Sequence, residues 1–381
     1  MKTFKLRRAA FHLHRWIGLV VGLLLILIGI TGSLLVFEAE ISDWLNTQQF
    51  GTIVRQAERL APATAIEIAK TTHPTWQAVN LYIPADDHHP YKLRMTAPAA
   101  NPDLYLHGNN EVFVHPYTGK VLGDRVERFS FYRFLLNLHY RLFAEDIGII
   151  VVGMTGLLLL SLSLSGLMLW PGWRKLINGF KIKWDAHPKR VNFDIHKVVG
   201  IVSAIFLTIT AFTGFCWNFY DVTQPAIYTL TATPTRPDPV SKPLSNQAPL
   251  GLTDVLAIAD TALPERTTIV GLPDKPTSVF SIYKQIPGGS AYGGAVYVDQ
   301  FSGQVLRVDD ERKAALGDRI LNAFTPLHFG TFWGLPSRIL YVFVGLAPLI
   351  LFISGFVMWW YRKRKDDRLM ETSEAQAIAK F

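Results

Sequence analysis

The sequence predicts a membrane α-helical protein: four transmembrane helices as a tandem duplication, each half carrying a small α+β domain outside the membrane. Three observations lead there. Four apolar runs, at 13–37, 147–170, 195–219 and 337–361, each reach the length of about 20 residues that a helix needs to cross about 30 Å of hydrocarbon. Motifs in the second half repeat those of the first at constant spacing. Basic residues gather in three separate segments, as the inner flanks of membrane helices do.

Taken in order, residues 1–37 hold Lys2, Lys5, Arg7 and Arg8 followed by the first run. This start resembles a signal peptide, but the apolar stretch is too long and no A-x-A site follows, so it reads as a retained helix. Residues 38–138 form the first long loop. A helix at 61–72 precedes alternating strands at 78–83, 91–96 and 111–115, and a turn at Thr118-Gly119 leads into 120–122. Residues 139–170 return through the membrane, 171–194 form a short basic loop (Arg174, Lys175, Lys181, Lys183, Lys189, Arg190), and 195–219 cross again. The second long loop, 220–336, contains a polar, Pro-rich linker at 233–249. A helix at 253–262 and strands at 268–272, 279–285, 295–298 and 304–308 follow. The last crossing is 337–361, and the tail 362–381, basic from Arg362 to Lys365, is expected to be partly disordered. Inside lipid no water satisfies backbone groups, so each crossing must be helical.

The net charge of +8, from 38 Lys+Arg against 30 Asp+Glu, follows from this topology. The positive-inside rule puts the three basic segments, and so both termini, in the cytoplasm. Both long loops then lie outside, in the periplasm for a bacterial inner membrane. No basic, aromatic-studded pattern points to nucleic acid. The single cysteine, Cys216, lies in the third crossing, which excludes an intrachain disulfide and any cysteine-ligated zinc or iron–sulfur centre. There is no P-loop, no H-E-x-x-H and no strand-to-helix G-x-G-x-x-G. The inner segments are too short for a flavin or nicotinamide domain, so any reductant is a separate protein, a free reduced flavin or a membrane quinol.

The repeat is visible in helices and loops alike. His14, Gly18 and Thr31-Gly32 match His196, Gly200 and Thr213-Gly214 at one offset. His139, Gly156, Ser165-Gly166 and Trp170 match His328, Gly345, Ser354-Gly355 and Trp359 at another. Residues 64–69 leading to Pro74 parallel 254–259 leading to Pro264, and 112–122 parallel 296–306.

Each crossing thus has a repeat-matched histidine at its mouth, and histidine beside hydrocarbon is costly unless its nitrogen is used. With the N-terminus inside, His14 and His196 share the inner edge and His139 and His328 the outer edge. A haem iron accepts imidazoles axially, and two pairs at two depths point to the axial ligands of two buried haems. The absence of C-x-x-C-H excludes covalent attachment. Gly18, Gly22 and Gly32 after His14, and Gly200, Ser203 and Gly214 after His196, leave room for a macrocycle; close helix packing uses the same residues. Arg15, Lys197 and Arg141, with Tyr140, adjoin the histidines and are placed to neutralise haem propionates, although inner-surface anchoring accounts equally for Arg15 and Lys197.

Other candidates read more plainly. His12 lies about 200° around the helix from His14 and faces elsewhere. His73, His88, His89, His107 and His115 fall in the outer loops, with His88-His89 either a weak metal site or a solvated turn; His187 is a loop residue. Met154, Met168 and Met358 read as packing rather than axial ligands.

Two H-x-x-x-G crossings, two V-x-V-x-x-x-[ST]-G-x-V-L modules and closing S-G-x-x-x-W helices resemble the PepSY-associated transmembrane family over nearly the whole chain. Without an added flavodoxin or nucleotide-binding domain, the chain is most similar to inner-membrane ferric-siderophore reductases of the FoxB type. That resemblance implies two PepSY-like periplasmic domains, two haem b groups and an oxidoreductase activity toward an Fe(III)–siderophore, of hydroxamate type, with a cytoplasmic or quinol electron donor. Hard oxygen donors hold Fe(III) strongly and Fe(II) poorly, so one electron releases the iron and no acid–base residue is required. Trp76, Tyr82, Tyr283, Tyr292 and Trp333 are candidates for the docking surface. Two alternatives stay open: a non-enzymatic membrane protein that binds peptide or inhibits a protease, and a haem relay to another periplasmic oxidant. A transporter would carry carboxylates or broken helices within its crossings, and the apolar runs contain no Asp or Glu.

Overall fold

The computed structural model describes residues 2–56, 58–98, 109–243, 247–287 and 293–378, with side chains between 5 and 364. His107 and Tyr292 lie outside the described residues. In chain order the elements are α1 (Lys2–Leu35), α2 (Glu38–Phe50), α3 (Pro62–Thr72), β1 (Gln77–Tyr82), β2 (Tyr91–Thr96), β3 (Asn109–Val114), β4 (Val121–Val126), α4 (Phe131–Arg141) and α5 (Glu145–Leu169). There follow α6 (Leu176–Phe180), α7 (Pro188–Asn218), α8 (Tyr220–Leu230), α9 (Leu252–Ala262), β5 (Arg266–Gly271), β6 (Val279–Gln285), β7 (Gly294–Asp299), β8 (Val305–Asp310), α10 (Leu316–Phe329) and α11 (Leu335–Ile378). Two compact units result. One joins Met1–Glu38, Leu135–Ala226 and Ala323–Phe381; the other joins Ala39–Phe134 and Ile227–Asn322.

The first unit is a four-helix bundle of α1, α5, α7 and α11, which contain the four spans long and apolar enough to cross a membrane. Helix α1 packs on α5 and α11, and α7 packs on the same two, so α1 and α7 are diagonally opposed. Val21 and Leu25 are buried within the bundle, while Val20 and Leu23 on the other side of α1 are 77% and 69% exposed. An apolar exterior over a close interior suits a lipid solvent, where helices associate by packing rather than by escape from water. The closest approaches use glycine. A β-carbon at Gly156 would stand 3.2 Å from the Ala211 carbonyl oxygen of α7, and one at Gly29 would collide with the backbone of Gly345 on α11. Beside that second crossing, Ser33 Oγ donates to the Val342 carbonyl at 2.9 Å.

Helix boundaries depart from the sequence expectation at informative places. His139 does not open the second crossing; it rides on the separate short helix α4. The turn to α5 takes Leu142, Phe143 and Glu145 through positive φ of 54°, 54° and 47°, while the matching turn before α11 uses Gly330 and Gly334 at 69° and 62°. L-residues other than glycine adopt this region at a cost. Helix α7 starts at Pro188, earlier than the apolar run, because Pro suits the first helical turn and the His187 side chain caps it by accepting from the Lys189 N–H at 3.2 Å. The tail expected to be partly disordered continues as helix to Ile378.

In the second unit the two expected α+β modules join in one sheet. Its single antiparallel sheet has eight strands in the order β4-β3-β2-β1-β5-β6-β7-β8, a palindrome about the β1–β5 pair. Both halves carry a bulge next to that seam, at Val79 and Thr268. The bulged residues reach across it: the Val79 carbonyl accepts from Leu272 N–H at 2.8 Å and the Thr268 carbonyl from Ile83 N–H at 2.9 Å. Helices α3 and α9 cover one face, where Ala65, Ile66, Ala69, Val255 and Ala259 join Leu81, Leu93, Met95, Val270, Ile282 and Val296 in one buried core. The alternation of each strand puts one set of side chains into this core and the other on the opposite face.

Candidate functional site: two histidine pairs in the bundle

All four repeat-matched histidines lie in the helical unit, and the structure brings them together as two pairs. His14 on α1 and His196 on α7 hold ring centres 6.3 Å apart with planes at 82°; His139 on α4 and His328 on α10 stand at 6.3 Å and 80°. Each ring is held by a hydroxyl from another helix. His14 Nδ1 lies 2.9 Å from Ser165 Oγ and 3.1 Å from the Leu162 carbonyl, both on α5, and His196 Nδ1 lies 2.8 Å from Ser354 Oγ on α11. His139 Nδ1 lies 3.1 Å from Thr31 Oγ1 and 3.0 Å from the Ile28 carbonyl, both on α1, and His328 Nδ1 lies 2.7 Å from Thr213 Oγ1 on α7. His14 and Thr31 are separated by 31 − 14 = 17 residues of α1. At 1.5 Å per residue the two pairs are therefore about 25 Å apart along the bundle.

A glycine sits beside each hydroxyl. β-Carbons at Gly32, Gly166, Gly214 and Gly355 would stand 3.0, 3.3, 3.2 and 3.6 Å from Cε1 of His139, His14, His328 and His196 respectively. Gly32 and Gly214 thus seat the rings of His139 and His328 rather than opening space next to His14 and His196, as their spacing suggested. The sequence motifs T-G and S-G marked these positions as repeated, but the hydroxyl contacts to the rings were not legible from the spacing.

A cavity of about 630 Å³ adjoins His14 and His196 and is lined by Gly18, Gly22, Gly166, Gly200 and Gly355, within the usual size range of cofactor pockets. Arg7, Arg8, Arg15 and Arg362 also line it, and no carboxylate among the described residues does. Gly22 has a second duty, since a β-carbon there would run into the Phe352 ring of α11.

The chemistry of these residues suits a haem: in each pair two imidazoles, 6.3 Å apart between ring centres, would hold an iron between them. The flanking residues divide. Arg15 lines the cavity, and its Nε is buried without a hydrogen-bond partner among the described residues, a donor suited to a propionate. The Arg141 Nε is likewise buried and unpartnered, although Nη1 pairs with Glu145 at 3.0 Å. Lys197 does not suit the expected propionate role. Its Nζ already donates to the Asn178 carbonyl at 2.8 Å, the Lys181 carbonyl at 2.9 Å and the buried Asp194 carboxylate at 2.8 Å, and an ammonium has three donors.

The remaining candidates fall outside the pairs. His12 is exposed and away from the cavity lining. Met154 and Met168 are exposed on the bundle, while Met358 lines the cavity. His89 bridges Asp43 and Asp86, each at 2.6 Å, and no cluster of three or more metal-ligating groups occurs among the described residues. Burial pulls the His89 pKa down, but the two carboxylates outweigh it and hold the ring above its ordinary value. His115 Nδ1 accepts from the N–H groups of Tyr117 and Thr118, shaping its turn. Of the suggested docking aromatics, Trp76 packs against the sheet core, stacked on His73 at 4.0 Å. Tyr82 and Tyr283 lie on the sheet face opposite α3 and α9, and Trp333, in the helical unit, is 74% exposed.

Fold and apolar spans define a multi-pass membrane protein. The family described as the PepSY-associated TM region matches residues 11–362, and the chain belongs to it. No curated protein matches. Among solved structures, the chain is similar to a crystal structure of a lipoprotein from Clostridium difficile 630, with 11% identity over 67% of this chain and 95% of that one and a TM-score of 0.27. A likeness that slight carries no argument.

Proposed function

We propose that this chain is a transmembrane electron-transfer protein of the bacterial inner membrane. In this reading both termini are cytoplasmic, the sheet unit is periplasmic, and the halves arose by tandem duplication. His14 with His196 and His139 with His328 would bind one haem b each. The observation that supports this most is the common 6.3 Å separation of both pairs. Bound haem supplies a one-electron carrier. The protein orients the imidazoles, offers Arg15 and Arg141 to the propionates, and excludes water between two sites at opposite ends of the bundle. The substrate we favour is an Fe(III)–siderophore of hydroxamate type, reduced outside to release Fe(II), with electrons from a cytoplasmic donor or a quinol. This is the activity of the FoxB-type reductases that the sequence resembles.

The test is spectroscopic and then kinetic. Purified protein is expected to show low-spin b-type bands that sharpen on dithionite, and pyridine haemochrome analysis is expected to approach two haems per chain. The reduced protein should be reoxidised by ferrioxamine-type complexes, with Fe(II) trapped by ferrozine. A colourless, well-folded preparation would overturn the electron-transfer reading and favour a peptide-binding membrane protein. Intact haem spectra with no response to any ferric hydroxamate would move the substrate to another extracytoplasmic oxidant.

A further inference from the structure

The four hydroxyls that touch the histidines are more constrained than a distance shows. Each also meets the carbonyl one helical turn before it. Ser165 Oγ donates to Ser161 O at 2.7 Å, Ser354 Oγ to Ile350 O at 2.6 Å, Thr31 Oγ1 to Leu27 O at 2.9 Å and Thr213 Oγ1 to Ile209 O at 2.8 Å. A hydroxyl has one proton, and a carbonyl can only accept it. With that proton engaged on its own helix, the oxygen facing Nδ1 must accept, so Nδ1 must carry the ring hydrogen. The Leu162 and Ile28 carbonyls beside His14 and His139 impose the same polarity independently. A neutral imidazole carries one N–H and one lone pair; the lone pair is then on Nε2, to which no described residue donates.

We propose that Thr31, Ser165, Thr213 and Ser354 are positioning residues. They fix all four histidines as the Nδ1–H tautomer and leave every Nε2 basic and open before any iron arrives. The adjoining glycines complete the device by letting each ring edge lie on the helix backbone. The tautomer lock is a property of the chain; its use for iron ligation rests on the haem reading above. Outer groups that hold a ligand histidine also raise its basicity, and their loss commonly weakens metal binding 10–100-fold.

The experiment uses the full-length, detergent-purified chain with Thr213→Val and Ser354→Ala, and with Thr213→Ser and Ser354→Thr as conservative partners. Haem loss to excess apomyoglobin and the midpoint potential of each centre are measured. Thr213→Val is expected to speed haem loss from one centre about 10-fold or more and to shift that centre's potential positive, because a less basic imidazole favours Fe(III) less. Ser354→Ala should do the same at the other centre, and the Ser/Thr exchanges should stay close to wild type. Wild-type loss rates and potentials in both hydroxyl-free variants would overturn the proposal. The second measurement is ¹⁵N NMR of histidine-labelled chain produced without haem, with the signals of His14, His139, His196 and His328 assigned among the 11 histidines by single His→Gln substitutions; these four rings are expected as Nδ1–H, and Nε2–H forms at these four would overturn it. A wild-type chain that binds no haem would sink the functional reading alone, because the NMR result still decides the tautomers.

Discussion

Gly32 and the imidazole of His139 are in edge contact: a β-carbon at position 32 would stand 3.0 Å from Cε1, closer than side chains ordinarily approach. At Gly355 the matching distance to His196 is 3.6 Å, an ordinary van der Waals contact. Gly32→Ala is therefore expected to displace His139 and lower haem content toward one per chain, while Gly355→Ala keeps two. Pyridine haemochrome analysis of both purified variants checks this, and equal content in the two would mean that the glycine contact does not govern binding.

The pairing itself is tested by deletion. His14→Ala and His196→Ala should each abolish the same redox transition, and His139→Ala and His328→Ala the other. His12→Ala should leave both, since that side chain is exposed and away from the cavity. Optical redox titration separates the centres; loss of one shared transition by His14→Ala and His139→Ala would break the proposed pairing.

Arg15 and Lys197 occupy matched positions but should behave oppositely. Lys197→Met strips a buried carboxylate, Asp194, of its ammonium. Breaking a buried pair on one side commonly costs about 3–5 kcal/mol, lessened here because Arg190 also contacts Asp194 at 3.1 Å. A clear fall in thermal stability, without selective haem loss, is expected. Arg15→Gln should keep stability and loosen the haem at His14 and His196. Thermal melts in detergent alongside haem-loss rates check both.

His89 gives the sheet unit a pH dependence. Its pKa is raised above the ordinary 6.5 by Asp86 and Asp43 against the opposing effect of burial. The protonated ring thus stabilises the fold fully below about pH 6.5, and that contribution is lost as pH rises through the raised value. The site is more than a third exposed, so the effect is expected to stay under about 1 kcal/mol. The wild-type melting temperature should fall slightly from pH 6 to 8 relative to His89→Gln; parallel profiles would remove His89 from the account.

Much of this was legible in the sequence, for identifiable reasons. Twenty-residue apolar runs admit one solution in lipid, so the four spans followed. Tyr91–Thr96 and Val279–Gln285 alternate cleanly and were placed to the residue. The histidines were legible because two offsets, 196 − 14 = 182 and 328 − 139 = 189, paired them. What escaped was decided by contacts between distant residues. The seam of β1 with β5 depends on two bulges 189 residues apart, and composition gives no sign that the modules share one core. The break between α4 and α5 falls at Leu142 and Phe143, residues with no turn signature, whereas Gly330 and Gly334 mark the matching break openly. Lys197 read as a propionate partner or an inner-surface anchor because its carbonyl partners, Asn178 and Lys181, lie in the segment between the second and third crossings, whose path periodicity does not describe.

The β1–β5 seam makes neither half of the chain self-sufficient. Alone, a half would expose the unpaired backbone groups of Asn80 to Tyr82, or of Ile269 to Gly271, as a bare sheet edge. It would also bring only one imidazole to each pair. A second half is what closes that edge, and a second half is what completes each pair. Joining the halves in one polypeptide removes the need to find a partner, but it ties mutations together: a change at one ligand must be accommodated by a residue encoded 182 or 189 positions away, and a change at the seam by one encoded 187 to 191 positions away.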